Sequence, residues 1–123
     1  MMRTAICLGV TTLLASHSLA DVSINEIRTE ESGTDDNEFV ELAGTPGESL
    51  DGYFLIAIGD DSGVFPPLQN GHVESVVDLT GFNINSSGFF VIAESTFTLG
   101  TPDLEAALNF EGADNVTHML VSG

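Results

Sequence analysis

Apolar residues in this chain come in short blocks, separated by clusters of Gly, Pro, Asn, Asp and Ser. Short apolar blocks divided by turn-forming residues about every ten positions indicate an all-β antiparallel sandwich or barrel. A βαβ fold would need amphipathic helices of about ten or more residues between its strands, and the pattern predicts none. The predicted strands are 22–28, 38–43, 50–58, 73–79, 88–93 and 115–122.

Segment 50–58 (LDGYFLIAI) is apolar on both faces apart from Asp51 and Gly52. A strand of this kind normally lies at the centre of a sheet and is covered on each side. The pattern therefore predicts a central strand that is buried on both faces.

Segment 101–108 (TPDLEAAL) begins with a Thr that could cap a helix and a Pro at the first helical position. Acidic residues follow in the first turn, where they favour a helix start. The sequence predicts a single helical turn here and no long helix.

Residues 1–20 have the composition of a secretory signal peptide. Arg3 precedes an apolar run at 5–15, and the small residues Ser18 and Ala20 precede Asp21. This arrangement predicts cleavage before Asp21 and export to the exterior or the cell surface. The apolar run is too short for a stable transmembrane anchor. A buried N-terminal helix is the alternative interpretation.

Cleavage would remove Cys7, the only Cys in the chain. The domain at 21–123 would then have no disulfide, and its stability would have to come from a packed core, which a chain of roughly 100 residues can supply.

The chain has a formal net charge of −17, with 19 acidic residues and only two basic ones, Arg3 and Arg28. Nucleic acid and anionic membranes need Lys and Arg to neutralise phosphate, so both are excluded as partners. Three explanations of the acidity remain open: a solvated surface, adaptation to salty surroundings, and binding of divalent cations.

Five segments together resemble the lamin-tail domain in its bacterial secreted form. INEI at 24–27 and, after a polar gap, EFVEL at 38–42 resemble its opening; LDGY at 50–53, GFFVI at 88–92 and DNVT at 114–117 follow in order. The resemblance extends over essentially all of 21–123 and implies an immunoglobulin-like β-sandwich. Because the chain stops at Gly123, within or just after a predicted strand, we expect a truncated domain that is incomplete at its C-terminus.

The resemblance also implies a function, since bacterial lamin-tail domains commonly occur as accessory modules of larger secreted or surface proteins. We expect a non-catalytic interaction module whose partners are other domains of the same longer chain, or extracellular proteins or polymers. One alternative is an N-terminal accessory domain of a secreted nuclease or phosphatase whose catalytic part lies beyond residue 123. Another is a calcium-dependent adhesion or surface domain.

Carboxylates in the two opening segments are the first candidates for chemistry. Glu26 would lie near Glu38 and Glu41 if the first two strands pair, and close carboxylates can perform acid–base catalysis or bind a metal. A hydrolase acting on phosphates would also need cations or a metal to meet the developing negative charge. Only Arg28 is available after cleavage. We therefore predict a structural role for these residues, no catalytic residue, and no enzyme activity.

Calcium is the only cofactor that the sequence suggests. Asp35 and Asp36 precede Asn37 in one Gly-containing loop, and Asp60 and Asp61 lie in another. Such oxygen-rich loops suit calcium, although neither has the spacing of an EF-hand and both also fit a solvated turn. A zinc site is not predicted from the two histidines left after cleavage. Four phenylalanines could form a binding face, but core packing is the favoured interpretation: Phe82, Phe89, Phe90 and Phe97.

Overall fold

The computed structural model describes residues 22–29, 36–60, 70–108, 110 and 116–123. These residues form strands and turns, with no helix among them, which confirms the predicted all-β class. Two sheets pack around a shared core as a β-sandwich, with strand orders β1-β2-β5-β6 and β4-β3-β7. The strands are β1 (Ser23–Arg28), β2 (Phe39–Ala43), β3 (Tyr53–Asp60), β4 (Asn70–Asp78), β5 (Phe89–Ala93), β6 (Leu104–Glu105) and β7 (Thr117–Ser122).

The first sheet is mixed, whereas the sequence predicted only antiparallel pairing. β1 with β2 and β2 with β5 are antiparallel, but β6 runs parallel to β5. The predicted helical turn at 101–108 is wrong, because β6 occupies that position. The carboxylate of Asp103 accepts the N–H of Val91 at 2.8 Å, and the Asp103 N–H donates to the Val91 carbonyl at 2.9 Å. These contacts tie the segment to the edge of β5, where a helix would have used its backbone groups internally.

β3 is the central strand of the second sheet, as predicted. Leu55 lies opposite Val77 of β4 on one side and opposite Leu120 of β7 on the other. The pairing with β4 contains two irregularities, between Ala57 and Ile58 and between Gly59 and Asp60.

The predicted strand at 50–58 begins later than expected, at Tyr53, because a turn at Asp51 and Gly52 precedes it. Gly52 has a φ of +78°, a conformation that is strained for residues with a side chain. A Cβ at this position would also lie 2.9 Å from the carbonyl oxygen of Gly123. The turn therefore requires Gly both for its backbone angle and for the close approach of the chain end after β7.

Alternate residues of the strands supply the core. Leu55 and Ala57 of β3 face the first sheet, whose β2 contributes Val40 and Leu42. Period-2 burial of this kind is what a sandwich strand requires. Each Val or Leu among these side chains contributes about 1.5–3 kcal/mol when fully buried. The remaining buried apolar residues are Val22, Leu50, Val77, Leu79, Ile84, Phe90, Ile92, Ala93, Leu108 and Phe110.

The second face of β3 is not covered as the sequence predicted. Ile56 is only half-buried, and its cross-strand neighbours Val76 and Met119 are 56% and 40% exposed. Among the described residues, the sandwich has two layers, so one face of β3 contacts the core and the other faces outward. The expectation of burial on both faces is therefore wrong.

Candidate functional site

The carboxylates of the opening strands are divided between the two faces of the first sheet. β1 and β2 pair as expected, and Glu26 lies opposite Glu41. Glu41 is half-buried on the outward face, because the alternating residues Val40 and Leu42 point into the core. Asn25 donates a hydrogen bond from Nδ2 to Oε1 of Glu41 at 2.7 Å. This bond offsets part of the repulsion between two opposed carboxylates.

Glu38 lies on the other face and is only 1% exposed. Its Oε2 accepts the backbone N–H of Phe110 at 3.3 Å, and its carbonyl oxygen accepts the N–H of Glu94 at 3.2 Å. Glu38 immediately precedes β2 and shares the buried face of Val40 and Leu42, whereas Glu41 lies within β2 on the opposite face. The structure therefore does not bring them together as an acid–base pair, and Glu38 satisfies a backbone group as predicted.

Phe110 and His118 form a second interior contact beside this carboxylate. The two rings meet edge to face, with centroids 4.3 Å apart and an interplanar angle of 81°. His118 lies on β7 opposite the buried Ala57, so its ring points inward. Its Nε2 is buried and makes no hydrogen bond among the described residues. Burial lowers the pKa of His118 below its usual value of 6.5, because the charged imidazolium loses solvation.

This shift predicts a loss of stability in mild acid. Well above pH 6.5 the imidazole is neutral in both folded and unfolded chains, so it adds no pH dependence. As the pH falls below that value, the unfolded chain binds a proton before the folded chain does, which favours unfolding. We expect the melting temperature of the wild type to fall more than that of His118→Phe between about pH 8 and about pH 5.

His72 supplies the matched control for this experiment, because it is exposed on β4. His72→Gln should keep the pH dependence of the wild type. Titration of the acidic residues is common to all three proteins and cancels in the comparison. A wild type that melts in parallel with His118→Phe across the range would show that His118 is not protected from protonation.

The structure describes only part of the proposed calcium loops. Asp36 is exposed, whereas Asp35, Asp61 and the side chain of Asp60 lie outside the described residues. Oδ1 of Asn37 accepts two hydrogen bonds from Thr98, from the backbone N–H at 2.6 Å and from Oγ1 at 2.9 Å. This amide oxygen therefore holds the 94–98 turn against the start of β2, and the φ of +67° at Asn37 fits an Asn at such a position.

No group of three or more His, Cys, Asp or Glu residues in the described ranges could hold a metal ion. The calcium site stays a prediction that concerns Asp35, Asp36, Asp60 and Asp61.

Salt is expected to stabilise the protein, because its 19 acidic residues far outnumber its two basic ones and repel one another. Screening shortens the range of this repulsion from about 10 Å at 0.1 M salt to about 3 Å at 1 M. Sodium chloride should therefore raise the melting temperature across that range, as measured by circular dichroism. No rise would show that self-repulsion does not limit stability.

Calcium at equal ionic strength tests the metal prediction in the same assay. A site at the aspartates would give calcium an additional effect over magnesium, and Asp36→Asn combined with Asp61→Asn would remove it. Equal effects of calcium and magnesium would contradict a calcium site.

One open cavity of about 290 Å³ lies beside the β5–β6 edge, lined by Glu94, Ser95, Glu105, Ala106 and Ala107. Oε1 of Glu94 accepts the backbone N–H of Leu108 at 3.1 Å, so this carboxylate stabilises the chain after β6. The cavity therefore combines a structural carboxylate with small side chains, and its geometry suggests no particular reaction.

Three of the five exposed large apolar residues in the described part of the chain lie on the surface of the second sheet that points away from the core, here called the outer face. Ile56 lies at its centre between Val76 and Met119, and Ile58 lies opposite Val73, which is 49% exposed. The full set of its apolar side chains is Phe54, Ile56, Ile58, Val73, Val76, Met119 and Val121. Cross-strand neighbours place these seven residues in one continuous surface.

The outward surface of the first sheet is different, because Glu26 and Glu41 lie on it. Of the phenylalanines considered in the sequence, Phe90 is buried and packs edge to face on Phe82 at 5.5 Å. Phe97 packs on Phe39 at 5.6 Å, and Phe89 is 38% exposed. Core packing therefore accounts for Phe82 and Phe90, whereas Phe97 packs on Phe39 outside the core cluster and Phe89 is exposed.

Comparison with known proteins finds no matching family model, no matching curated protein and no matching solved structure. Within the described ranges, no helix has the length and apolar character needed to cross a membrane. Functional hypotheses for this chain therefore rest on its own residues and their geometry.

Proposed function

We propose that this chain is a secreted, non-catalytic interaction module of the lamin-tail type. The observation that carries the proposal is the outer face, where seven apolar residues form one surface and Val73, Val76 and Met119 are at least 40% exposed. Single exposed apolar residues are ordinary in soluble proteins, but a contiguous group is often a binding surface. In an exported protein, its partner would be another domain of the same longer chain or an extracellular protein or polymer.

The arrangement of the carboxylates supports a role without catalysis. Glu38 is enclosed in the core and holds the N–H of Phe110, whereas Glu41 is on the opposite face with Asn25. Two carboxylates that act together as a general acid and a general base must both lie within reach of one substrate. Because the two carboxylates lie on opposite faces, each has a structural role in the sheet.

Strand order supports the immunoglobulin-like part of the proposal. In immunoglobulin sandwiches, strands A, B and E are neighbours in one sheet, while C pairs with F and, in variable-type domains, with C′ in the other. The neighbours β1-β2-β5 here correspond to A-B-E, and β4-β3-β7 correspond to C′-C-F. The segments INEI, EFVEL and GFFVI lie on β1, at the start of β2 and on β5 of the first sheet. The segments LDGY and DNVT end at the first residues of β3 and β7, in the second sheet.

Site-specific photo-crosslinking tests the interaction function. A photoreactive residue would replace Val76 on the outer face, Phe89 on the first sheet or Leu99 in a turn, in protein secreted by the source organism. We expect a discrete crosslinked product from at least one of these exposed positions, and none after the protein is unfolded.

The absence of a product at every position would contradict an interaction function. The non-catalytic part is tested separately with purified protein and phosphate mono- and diesters. Hydrolysis that Glu41→Gln abolishes would overturn it.

A further inference from the structure

The outer face is a compact surface with three rows of side chains across three strands. The rows are centred on Phe54, Ile56 and Ile58 of β3, with β4 and β7 on either side. Strands about 4.8 Å apart and same-face residues about 7 Å apart give it an area of roughly 300 Å². Its apolar character is continuous along β3, because none of the three outward residues of that strand between 54 and 58 is polar.

Two acidic residues lie at the Phe54 end of this face. Asp78 lies opposite Phe54 and is exposed. Asp51 lies beyond the same end, where its Oδ1 accepts the N–H of Gly81 at 2.7 Å, just after β4. Arg28, the only basic residue in the described part of the chain, is on β1 in the other sheet. The apolar surface is therefore surrounded by the negative field of a protein with a net charge of −17.

We infer that the outer face binds a protein surface with an apolar centre and Lys or Arg residues around it. This inference rests on the proposed interaction function and assigns the surface and the chemistry of the partner. Apolar side chains of the partner would cover Ile56, Val76 and Met119, while its cations would meet Asp78 and Asp51. Complementary charge at the edge of an apolar contact speeds association and selects the partner.

A second copy of this chain fits the face less well. Two copies would bring together surfaces that each carry a net charge of −17 and supply no cation near the contact. The face of roughly 300 Å² is also well below the roughly 800 Å² that each partner buries in a typical stable complex. A basic partner can extend the contact onto the acidic surroundings, where a second copy would be repelled. Anionic lipid headgroups and nucleic acid would meet the same repulsion.

Synthetic peptides of defined composition test both parts of the inference. The first alternates Leu and Lys, the second replaces each Leu by Ser, and the third replaces each Lys by Glu. Fluorescence anisotropy of labelled peptides would be measured with the wild-type protein at low salt. We expect the Leu–Lys peptide to bind, and the Ser–Lys and Leu–Glu peptides to bind at least about tenfold more weakly, since each lacks one of the two contributions.

Two matched double variants locate the binding. Val76→Ser with Met119→Ser removes exposed apolar groups from the outer face, and Phe89→Ser with Leu99→Ser removes as many elsewhere. Both leave the net charge unchanged. The outer-face variant should weaken the Leu–Lys peptide about tenfold or more, whereas the control variant should bind like the wild type. Thermal melts would show whether each variant is folded. If the first outer-face variant is unfolded, Val73→Ser with Val76→Ser replaces it.

Other outcomes would overturn the inference in distinguishable ways. Equal affinities of the Ser–Lys and Leu–Lys peptides would show that charge alone drives binding. Loss of binding in the control variant instead of the outer-face variant would assign it to another surface and leave the proposed interaction function intact. A second copy would be the partner if two results came together. The Leu–Lys peptide would fail to bind, and analytical ultracentrifugation would show salt-induced dimers of the wild type but not of the outer-face variant. The photo-crosslinking experiment judges the interaction function independently of all these results.

Discussion

Leu55→Asp is expected to unfold the protein, whereas Ile56→Asp, at the next position of the same strand, is expected to leave it folded. Leu55 is 2% exposed and faces the core between Val77 and Leu120. An Asp there would bury a carboxylate with no charged partner, one of the few changes that destabilise by more than about 4 kcal/mol. A domain of this size has a total stability of about 5–15 kcal/mol, so little or none would remain if its stability lies near the lower end of that range.

Ile56→Asp places the same charge on the outer face. Ile56 is half-buried, and its neighbours Val76 and Met119 are 56% and 40% exposed. The carboxylate can therefore stay hydrated, and we expect a loss of about 1 kcal/mol, which is typical of point substitutions. Urea denaturation, followed by circular dichroism, measures the free energy of unfolding of both variants. Leu55→Ala is the control that separates lost packing from added charge, and we expect it to lose about 2–5 kcal/mol.

Unfolding by both Asp variants would show that β3 is covered on each face, as the sequence pattern predicts. A stable Leu55→Asp variant would show that the side chain of Leu55 does not face the core. Only the asymmetric result agrees with a two-layer sandwich whose outer face is available to a partner.

The central position of β3 could be predicted from the sequence, but the state of its second face could not. Phe54, Ile56 and Ile58 give the strand an apolar outer side, which is the composition of a strand between two layers. A face that contacts a partner has the same composition as a face covered by the chain itself. Local pattern therefore identifies apolar faces without identifying what covers them.

β6 shows how a long-range contact overrides a local preference. Thr101 and Pro102 fit the first positions of a helix, and this local pattern led to the predicted helical turn. The carboxylate of Asp103 instead bonds to the N–H of Val91, 12 residues earlier in the chain. Asp readily bonds to backbone groups outside a helix, and here the edge of β5 supplies one. Which strand edge lies nearby is a property of the fold that the segment itself does not encode.

The candidate carboxylates could have been separated from the sequence alone. Once 38–43 is predicted to be a strand, the odd spacing of Glu38 and Glu41 places them on opposite faces. The contacts of Asn37 with Thr98 and of Glu38 with Phe110 span 61 and 72 residues, and no local signal predicts them. The structural role of Asn37 was missed for this reason, whereas the backbone role of Glu38 was predicted without its partner.

Phe110→Ala is expected to lose about 3–5 kcal/mol of stability, as is usual when a fully buried aromatic side chain is removed. Phe110 is 1% exposed, and its ring packs against His118 of β7. Its N–H reaches Glu38, which precedes β2 in the other sheet, so the residue connects both layers. Phe89→Ala is the matched control, because Phe89 is 38% exposed and should lose much less.

The contact with His118 gives this prediction a second readout that a general loss of packing would not produce. The Phe110 ring contributes to the burial that lowers the pKa of His118, so its removal should admit water and move that pKa back towards 6.5. Phe110→Ala should therefore show a smaller fall in stability between about pH 8 and about pH 5 than the wild type, although it starts from a lower value. NMR titration of His118 in folded protein measures the shift directly. If Phe110→Ala were as stable as Phe89→Ala, or if it left the pKa of His118 unchanged, Phe110 would not enclose this histidine between the sheets.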